Sequence, residues 1–308
     1  MLQLTLELVH ERSLGHRHDA VAIRDDTELE AGVVNTSLVR STWQIGQCKL
    51  FDVDPHDSNV WLLEANTVHV WHARVSALGQ VLPLLARSLA NDERKRVEGF
   101  FRAEDRERFV AAHGILRHVL GCYLKVRPEF LTFEKTGQGK PQLAADFAAP
   151  KIRFNLAHSG DVVALAFARE TEVGIDVEEI NARLDPLDLA QSQFSERELE
   201  GLRALSMDNL REAFFHCWAR KEAYLKARGD GLFFALNRFA VSVEPGQPAA
   251  LLWVDDDIAA AQTWRLHDLD LGAGYAAALA LPDTRAEIAV RPWDRRWLCE
   301  GTANADVL

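Results

Sequence analysis

Two stretches of this chain carry residues whose types and spacing could do chemistry. Val173-Gly-Ile-Asp-Val-Glu-Glu-Ile180 reads as a strand, and Trp218-Ala-Arg-Lys-Glu-Ala-Tyr-Leu-Lys-Ala-Arg-Gly-Asp-Gly231 reads as a helix closing on glycine. In a strand, alternate side chains share a face, so Asp176 and Glu178 point the same way, roughly 6–7 Å apart at the backbone. Ile175 and Val177 take the other, core-facing side, and Glu179 has the parity of that apolar face, so the strand is expected to end near it. Two carboxylates converging to about 4 Å repel by about 4 kcal/mol at an effective dielectric near 20. They need a cation, a shared proton or open water, and a hard divalent ion with oxygen ligands, magnesium above all, suits them best. Residues one helical turn apart stack, so Phe214, Trp218, Glu222 and Lys226 form a single stripe. On local evidence Glu222 and Lys226 are an ordinary surface pair worth about 0.2–0.5 kcal/mol. A stripe that begins with Phe and Trp should nevertheless face inward, and a charge carried inward needs a metal or an anion to compensate it.

Other segments supply candidate anion contacts. Gly137-Gln-Gly-Lys-Pro141 reads as a turn in which two glycines allow close backbone approach and Lys140 offers a charge beside the rigid Pro141. Composition alone favours a hairpin loop with a surface lysine. Phe154-Asn-Leu-Ala-His-Ser159 ends an apolar strand at a Ser-Gly turn. Asn91-Asp-Glu-Arg-Lys-Arg-Val97 and Arg102-Ala-Glu-Asp-Arg-Glu-Arg-Phe109 are dense in mixed charge, most of it a solvated face. The apolar helix from Phe109 to Leu124 that follows is mostly core, and His113 and Arg117 could reach a site from it.

Taken in order, Gly137–Pro141, Phe154–Ser159, Val173–Ile180 and Trp218–Gly231 resemble the signature of the 4′-phosphopantetheinyl transferases, in the long single-chain form that activates peptide and polyketide synthetases. The resemblance spans roughly residues 66–295. It implies an α+β pseudodimer of two similar halves with the active site in the cleft between them. It also implies a reaction in which coenzyme A and Mg²⁺ bind and the serine of an apo acyl or peptidyl carrier protein attacks the phosphorus bearing the pantetheine arm. 3′,5′-ADP leaves. By motif position Asp176, Glu178 and Glu222 resemble the magnesium-binding acids. Glu222 is also a candidate base, a role that competes with metal binding and ranks second to it. Lys226 resembles the lysine that steadies the phosphate charge. Lys140, Pro141, His158, Ser159, Arg96 and Arg108 fall at positions associated with the coenzyme. Ala157 stands where the family usually has a serine, so one hydrogen bond of about 0.5–1.5 kcal/mol to phosphate is expected to be missing. The alternatives on the same residues are a non-catalytic coenzyme A or carrier-binding module, and an acyltransferase that releases intact coenzyme A.

The rest of the chain sets bounds and organisation. A net charge of −11 over 308 residues argues against nucleic acid or an anionic membrane as partner, and any docking surface for an acidic carrier must be a local patch. With 48% hydrophobic and 26% charged residues the composition is that of a soluble globular protein. Cys48, Cys122, Cys217 and Cys299 show no paired spacing, and no signal peptide or membrane span is evident, which fits a cytoplasmic monomer. A weak repeat aligns Asp161–Ile180 without gaps to Gly274–Trp293, with Ala289 and Arg291 where the first copy has Asp176 and Glu178. The expected divisions are an N-terminal extension, partly disordered, over 1–65, halves over 66–175 and 176–296, and a tail over 297–308.

Overall fold

The computed structural model describes residues 49–50, 58–137, 139–147, 151–229, 234–255, 257–282 and 285–298. The first half runs from β2 (Thr67–Arg74) through α1 (Leu82–Arg87), α2 (Asn91–Glu98) and α3 (Ala103–Leu124). A small hairpin follows, β3 (Phe133–Lys135) and β4 (Pro141–Leu143), and then β5 (Ile152–Ser159) and β6 (Val162–Arg169). The second half repeats the plan with β7 (Gly174–Glu179), α4 (Pro186–Gln193), α5 (Glu196–Arg203) and α6 (Met207–Arg228). Its hairpin is β8 (Phe239–Val241) and β9 (Leu251–Val254), followed by α7 (Ala260–Thr263), β10 (Trp264–Leu269) and β11 (Tyr275–Pro282). β2, β6 and β5 pair antiparallel in one sheet, and β7, β11 and β10 pair antiparallel in the other.

Period-two alternation assigns the faces. On β6, Val163, Leu165 and Phe167 pack toward α3, while Val162, Ala164, Ala166 and Ala168 meet Ile175, Val177, Ala277 and Leu279 of the other sheet. Ala276, Ala278 and Ala280 of β11 pack toward α6. The layers are therefore helix, sheet, sheet, helix, with small residues keeping the sheets close. The expected α+β pseudodimer is present. The two long helices have 22 residues each, and α2 and α5 have 8 each.

The sequence repeat is realised strand for strand: β6 and β7 correspond to β11 and to β12 (Glu287–Pro292), in the ungapped register. In both copies the chain crosses between sheets after the first strand. β7 leaves for the second sheet, and β12 returns to the first, where it lies parallel to β2 and to the two-residue β1 (Lys49–Leu50). The connection between halves is thus residues 170–173, ahead of the 175/176 division, which falls inside β7. Residues 58–65, grouped with the extension on sequence, belong to the folded body. Val60 and Leu63 are buried, and Trp61 stacks on Trp71 at 5.5 Å and meets Trp297 edge-on at 5.6 Å. Trp297 itself, assigned to the tail, is buried for the same reason. Residues 1–48, 51–57 and 299–308, with Cys48 and Cys299, lie outside the described residues.

Candidate active site

The acids of β7 and the stripe of α6 meet because Gly174 lets the helix lie directly on the strand. A Cβ at that position would sit 2.1 Å from the Ala223 carbonyl oxygen and 2.4 Å from the Ala227 nitrogen. Pairing Glu178 with Ala276 and Asp176 with Ala278 puts both acids on the side of the sheet that faces α6. On α6, Phe214 and Trp218 are buried against Phe194, which fixes the rotation of the helix and carries Glu222 inward behind them. Gly229, at φ 81°, ends the helix in the left-handed conformation with its N–H on the Leu225 carbonyl.

The geometry departs from a simple surface pair. Lys226 reaches across to Asp176, Nζ to Oδ1 at 2.6 Å. Glu222 is 2% exposed, and neither of its carboxylate oxygens has a hydrogen-bond partner. Asp176 Oδ2 is likewise buried and unpaired. Glu178 accepts a hydrogen bond from Ser159 Oγ at 3.1 Å. Burial, reinforced by Asp176, pushes the Glu222 carboxyl up to about 8. Burial and Asp176 push Glu178 well above the usual carboxylate range, and burial raises Asp176 despite Lys226. Burial alone would lower the Lys226 ammonium, but Asp176 and Glu222 outweigh it and hold the group above its ordinary value. Three acids thus face one ammonium. Three oxygens left without donors are what a hard divalent cation with oxygen ligands would satisfy, so the residues fit the ion. They do not form a closed coordination cluster, since no three metal-ligating side chains among the described residues are gathered so tightly.

These residues open into a cleft between the halves. Asp176, Glu178, Trp218, Glu222 and Lys226 line one wall, and Arg96, Phe109, His113, Lys135, Gly139, Pro141, Leu156, Ala157 and His158 line the other. Arg96 lies over the Phe109 ring at 5.1 Å. Burial, then Arg108 and Lys226, lower His158 to about 3, so its imidazole is neutral, and its Nδ1 has no partner. Three predicted contacts have other engagements. Lys140 Nζ donates to Glu172 at 3.0 Å and to the carbonyls of Val173 and Ala227 at 3.2 and 3.3 Å, tying the hairpin to the start of β7 and the end of α6. The turn around it is a hairpin loop, with Gly139 at φ 89°. Arg108 donates to the Gly160 carbonyl at 3.1 Å and to Asp105 at 2.7 Å. Ser159 is buried and turned to β7.

Sequence reasoning passed over Lys135, whose place at the end of β3 opposite Pro141 follows only from the hairpin register. It left His113 out of the candidate contacts, although Phe109 and His113 one turn apart were a readable signal: the rings stack at 3.9 Å, and Glu93 holds His113 Nδ1 at 3.0 Å. Arg117, also left open, is spent in the core, with Nε on Glu93 at 2.7 Å and Nη1 on the carbonyls of Pro128 and Leu131.

A buried acid set beside a lysine, facing arginine, histidine and a glycine-bearing turn across a cleft, defines a protein suited to an anionic, phosphate-bearing ligand with a cation. The comparisons with known proteins narrow that class. Residues 172–280 match the 4′-phosphopantetheinyl transferase superfamily, and residues 71–170 match the 4′-phosphopantetheinyl transferase N-terminal family. The chain is 36% identical over 227 residues to 4′-phosphopantetheinyl transferase HetI of Nostoc sp., covering 74% of this chain and 92% of that protein. It is 29% identical to the L-aminoadipate-semialdehyde dehydrogenase-phosphopantetheinyl transferase of Xenopus laevis, over 64% of this chain and 70% of that one. With 4′-phosphopantetheinyl transferase psf-1 of Bacillus pumilus it shares 33% identity over 54% of this chain and 69% of the relative. This chain belongs to the 4′-phosphopantetheinyl transferase superfamily.

Proposed function

We propose that the protein transfers the 4′-phosphopantetheine arm of coenzyme A to a serine of an apo acyl or peptidyl carrier protein, releasing 3′,5′-ADP, and that it does so with Mg²⁺, as a monomer in the cytoplasm. The observation that carries the reading is Glu222: a carboxylate with both oxygens buried and unpaired, beside Asp176 and Glu178 on one wall of a cleft that Arg96 and Lys135 line from the other. Asp176, Glu178 and Glu222 would hold the ion. When bound, Mg²⁺ neutralises charge on the coenzyme's pyrophosphate. Arg96 supplies the fork that binds phosphate through two bonds, with the neutral His158 and the backbone at Gly139–Pro141 completing the wall. Lys140 and Arg108 support this wall from behind through their bonds to protein carbonyls and acids.

In the reaction the serine oxygen forms a bond to the phosphorus that carries pantetheine, and the bond from that phosphorus to the 3′,5′-ADP oxygen breaks. The serine proton passes to a base at the cleft; Glu222, directly or through a water, is the candidate, a role that competes with holding the ion and ranks second to it. Lys226, charged and one turn beyond Glu222, stands to receive the negative charge that develops on the departing 3′,5′-ADP. Such chemistry is mostly positioning and charge neutralisation.

The test is to incubate the protein with apo carrier, coenzyme A and Mg²⁺ and weigh the carrier. A pantetheine adduct is expected, with 3′,5′-ADP as the second product. Free coenzyme A with an acylated carrier would make it an acyltransferase, and tight coenzyme binding without an adduct on several carriers would make it a binding module. Asp176→Ala is expected to abolish the adduct, and activity near wild type in that variant would overturn the metal assignment.

A further inference from the structure

β7 carries two acids of the candidate site and is an edge strand among the described residues: it pairs with β11 on one side and with no described strand on the other. An unpaired edge leaves backbone N–H groups to be satisfied and a strand free to shift. Here two side chains of β5, four residues apart on one face, take over that edge. Asn155 Oδ1 accepts the Ile175 N–H at 2.9 Å, and Ser159 Oγ accepts the Glu179 N–H at 3.0 Å. Both are buried. Ser159 then spends its own hydroxyl hydrogen on Glu178 Oε2, 3.1 Å away. One hydroxyl therefore fixes both the end of the strand and the orientation of the acid next to that end. The turn after Ser159 is held from both halves: Asp161 accepts from the Ser76 N–H and hydroxyl, each at 2.7 Å, and its own N–H donates to Tyr275 Oη at 2.9 Å.

In the second copy of the repeat the corresponding strand, β12, is paired on both sides, with β2 and β1, and leaves no such edge. There β12 has Ala289 and Arg291 in place of the acids. In the same register His267 stands where Asn155 stands, and Leu271, buried and apolar, stands where Ser159 stands. The serine hydroxyl occurs only in the copy that has acids to hold.

We propose that Asn155 and Ser159 are positioning residues: they lock the free edge of β7 to the first half, and Ser159 aims Glu178 into the cleft instead of contacting the coenzyme. This rests on Glu178 being one of the metal-binding acids. Hydrogen bonds to a metal-binding side chain set its orientation, and removing them typically costs ten- to a hundredfold in metal affinity.

The experiment compares full-length Ser159→Ala, Ser159→Thr and Glu178→Ala with wild type. It measures the Mg²⁺ concentration for half-maximal rate, the KM for coenzyme A, the melting temperature, and Mn²⁺ binding by electron paramagnetic resonance without substrates. For Ser159→Ala, the metal requirement should rise roughly ten- to a hundredfold and Mn²⁺ binding weaken in parallel. The KM for coenzyme A should stay within about twofold, and Ser159→Thr, which keeps the hydroxyl, should restore metal binding to within about threefold. A raised coenzyme KM at an unchanged metal requirement would make Ser159 a coenzyme contact and overturn the proposal. A lower melting temperature with both constants unchanged would reduce the clasp to a structural role and overturn it as well. If Glu178→Ala leaves metal binding intact, the metal reading of Glu178 fails and the proposal with it. If Glu178→Ala loses the metal while Ser159→Ala does not, the proposal fails alone.

Discussion

Replacing Glu222 by glutamine removes one negative charge from a buried cluster of three acids and one ammonium, and its effect on stability should reverse the usual cost of altering a buried polar residue. The folded-state carboxyl of Glu222 lies at about 8 against an ordinary 4.5, because of burial and then Asp176. A group whose proton affinity is raised by folding stabilises the fold below its unfolded value and loses that contribution as pH rises through the folded value. The affected window therefore runs from about pH 4.5 to about pH 8. Raising the pH from below 4.5 to 8, where such a carboxyl is half ionised, would cost the metal-free protein roughly 4 kcal/mol, at 1.36 kcal/mol per tenfold change in proton affinity. Asp176 and Glu178 share protons with it, so about half of that, ~2 kcal/mol, is assigned to Glu222. Glu222→Gln should then melt about 4–8 °C above wild type at pH 8 without divalent ions, and within about 2 °C of it at pH 5. Mg²⁺ should raise the wild-type melting temperature at pH 8 and leave Glu222→Gln nearly unmoved, while turnover in the variant is lost. The assay is thermal unfolding by circular dichroism at both pH values, with and without Mg²⁺. A variant that is equally destabilised at pH 5 and pH 8, or that responds to Mg²⁺ as wild type does, would refute the reasoning.

Three further outcomes follow from the packing. Gly174→Ala should destabilise the protein by about 1–3 kcal/mol, since backbone atoms of α6 occupy the space. Turnover should fall roughly a hundredfold, because displacing α6 moves Glu222 relative to Asp176, and normal carrier modification rates would show the approach is not needed. Lys221→Met leaves Glu198 buried without the ammonium that now holds both its oxygens at 2.7 and 2.8 Å. It should cost about 3–5 kcal/mol by denaturant titration, with the double variant Lys221→Met/Glu198→Gln losing less. Lys140→Met should lower the melting temperature while the KM for coenzyme A changes less than about threefold, because its ammonium braces Glu172 and two carbonyls. A tenfold rise in KM with unchanged stability would return Lys140 to the coenzyme.

Local pattern was enough for much of the fold. The parity of β7 placed Asp176 and Glu178 on one face and Ile175 and Val177 in the core, as the burial of the latter pair against the first sheet bears out. The ungapped repeat predicted two equivalent strand pairs, and the apolar stripe on α6 predicted an inward Glu222. What the repeat could not convey is that each strand pair divides between two sheets, because hydrophobic period says which face is buried but not against what. Nor could it reveal the buried pairs Glu93–Arg117 and Glu198–Lys221, which stand at matching places in the two halves, in each case a glutamate that also caps its own short helix. In sequence these are charges among charges, and only long-range folding removes them from water.

The residues of the candidate site were therefore set by sequence at the level of type and face: two acids two apart on a strand, and an acid and an ammonium one turn apart on a helix. Their partners were decided by tertiary structure alone. Lys226 is shared with Asp176 across 50 positions of chain, Glu222 is left unpaired, Lys140 is drawn into a brace, and Ser159 is turned from the cleft to the edge of β7. Side-chain periodicity is a property of neighbours along the backbone. Which charges are desolvated together depends on how two sheets and two long helices close on one another.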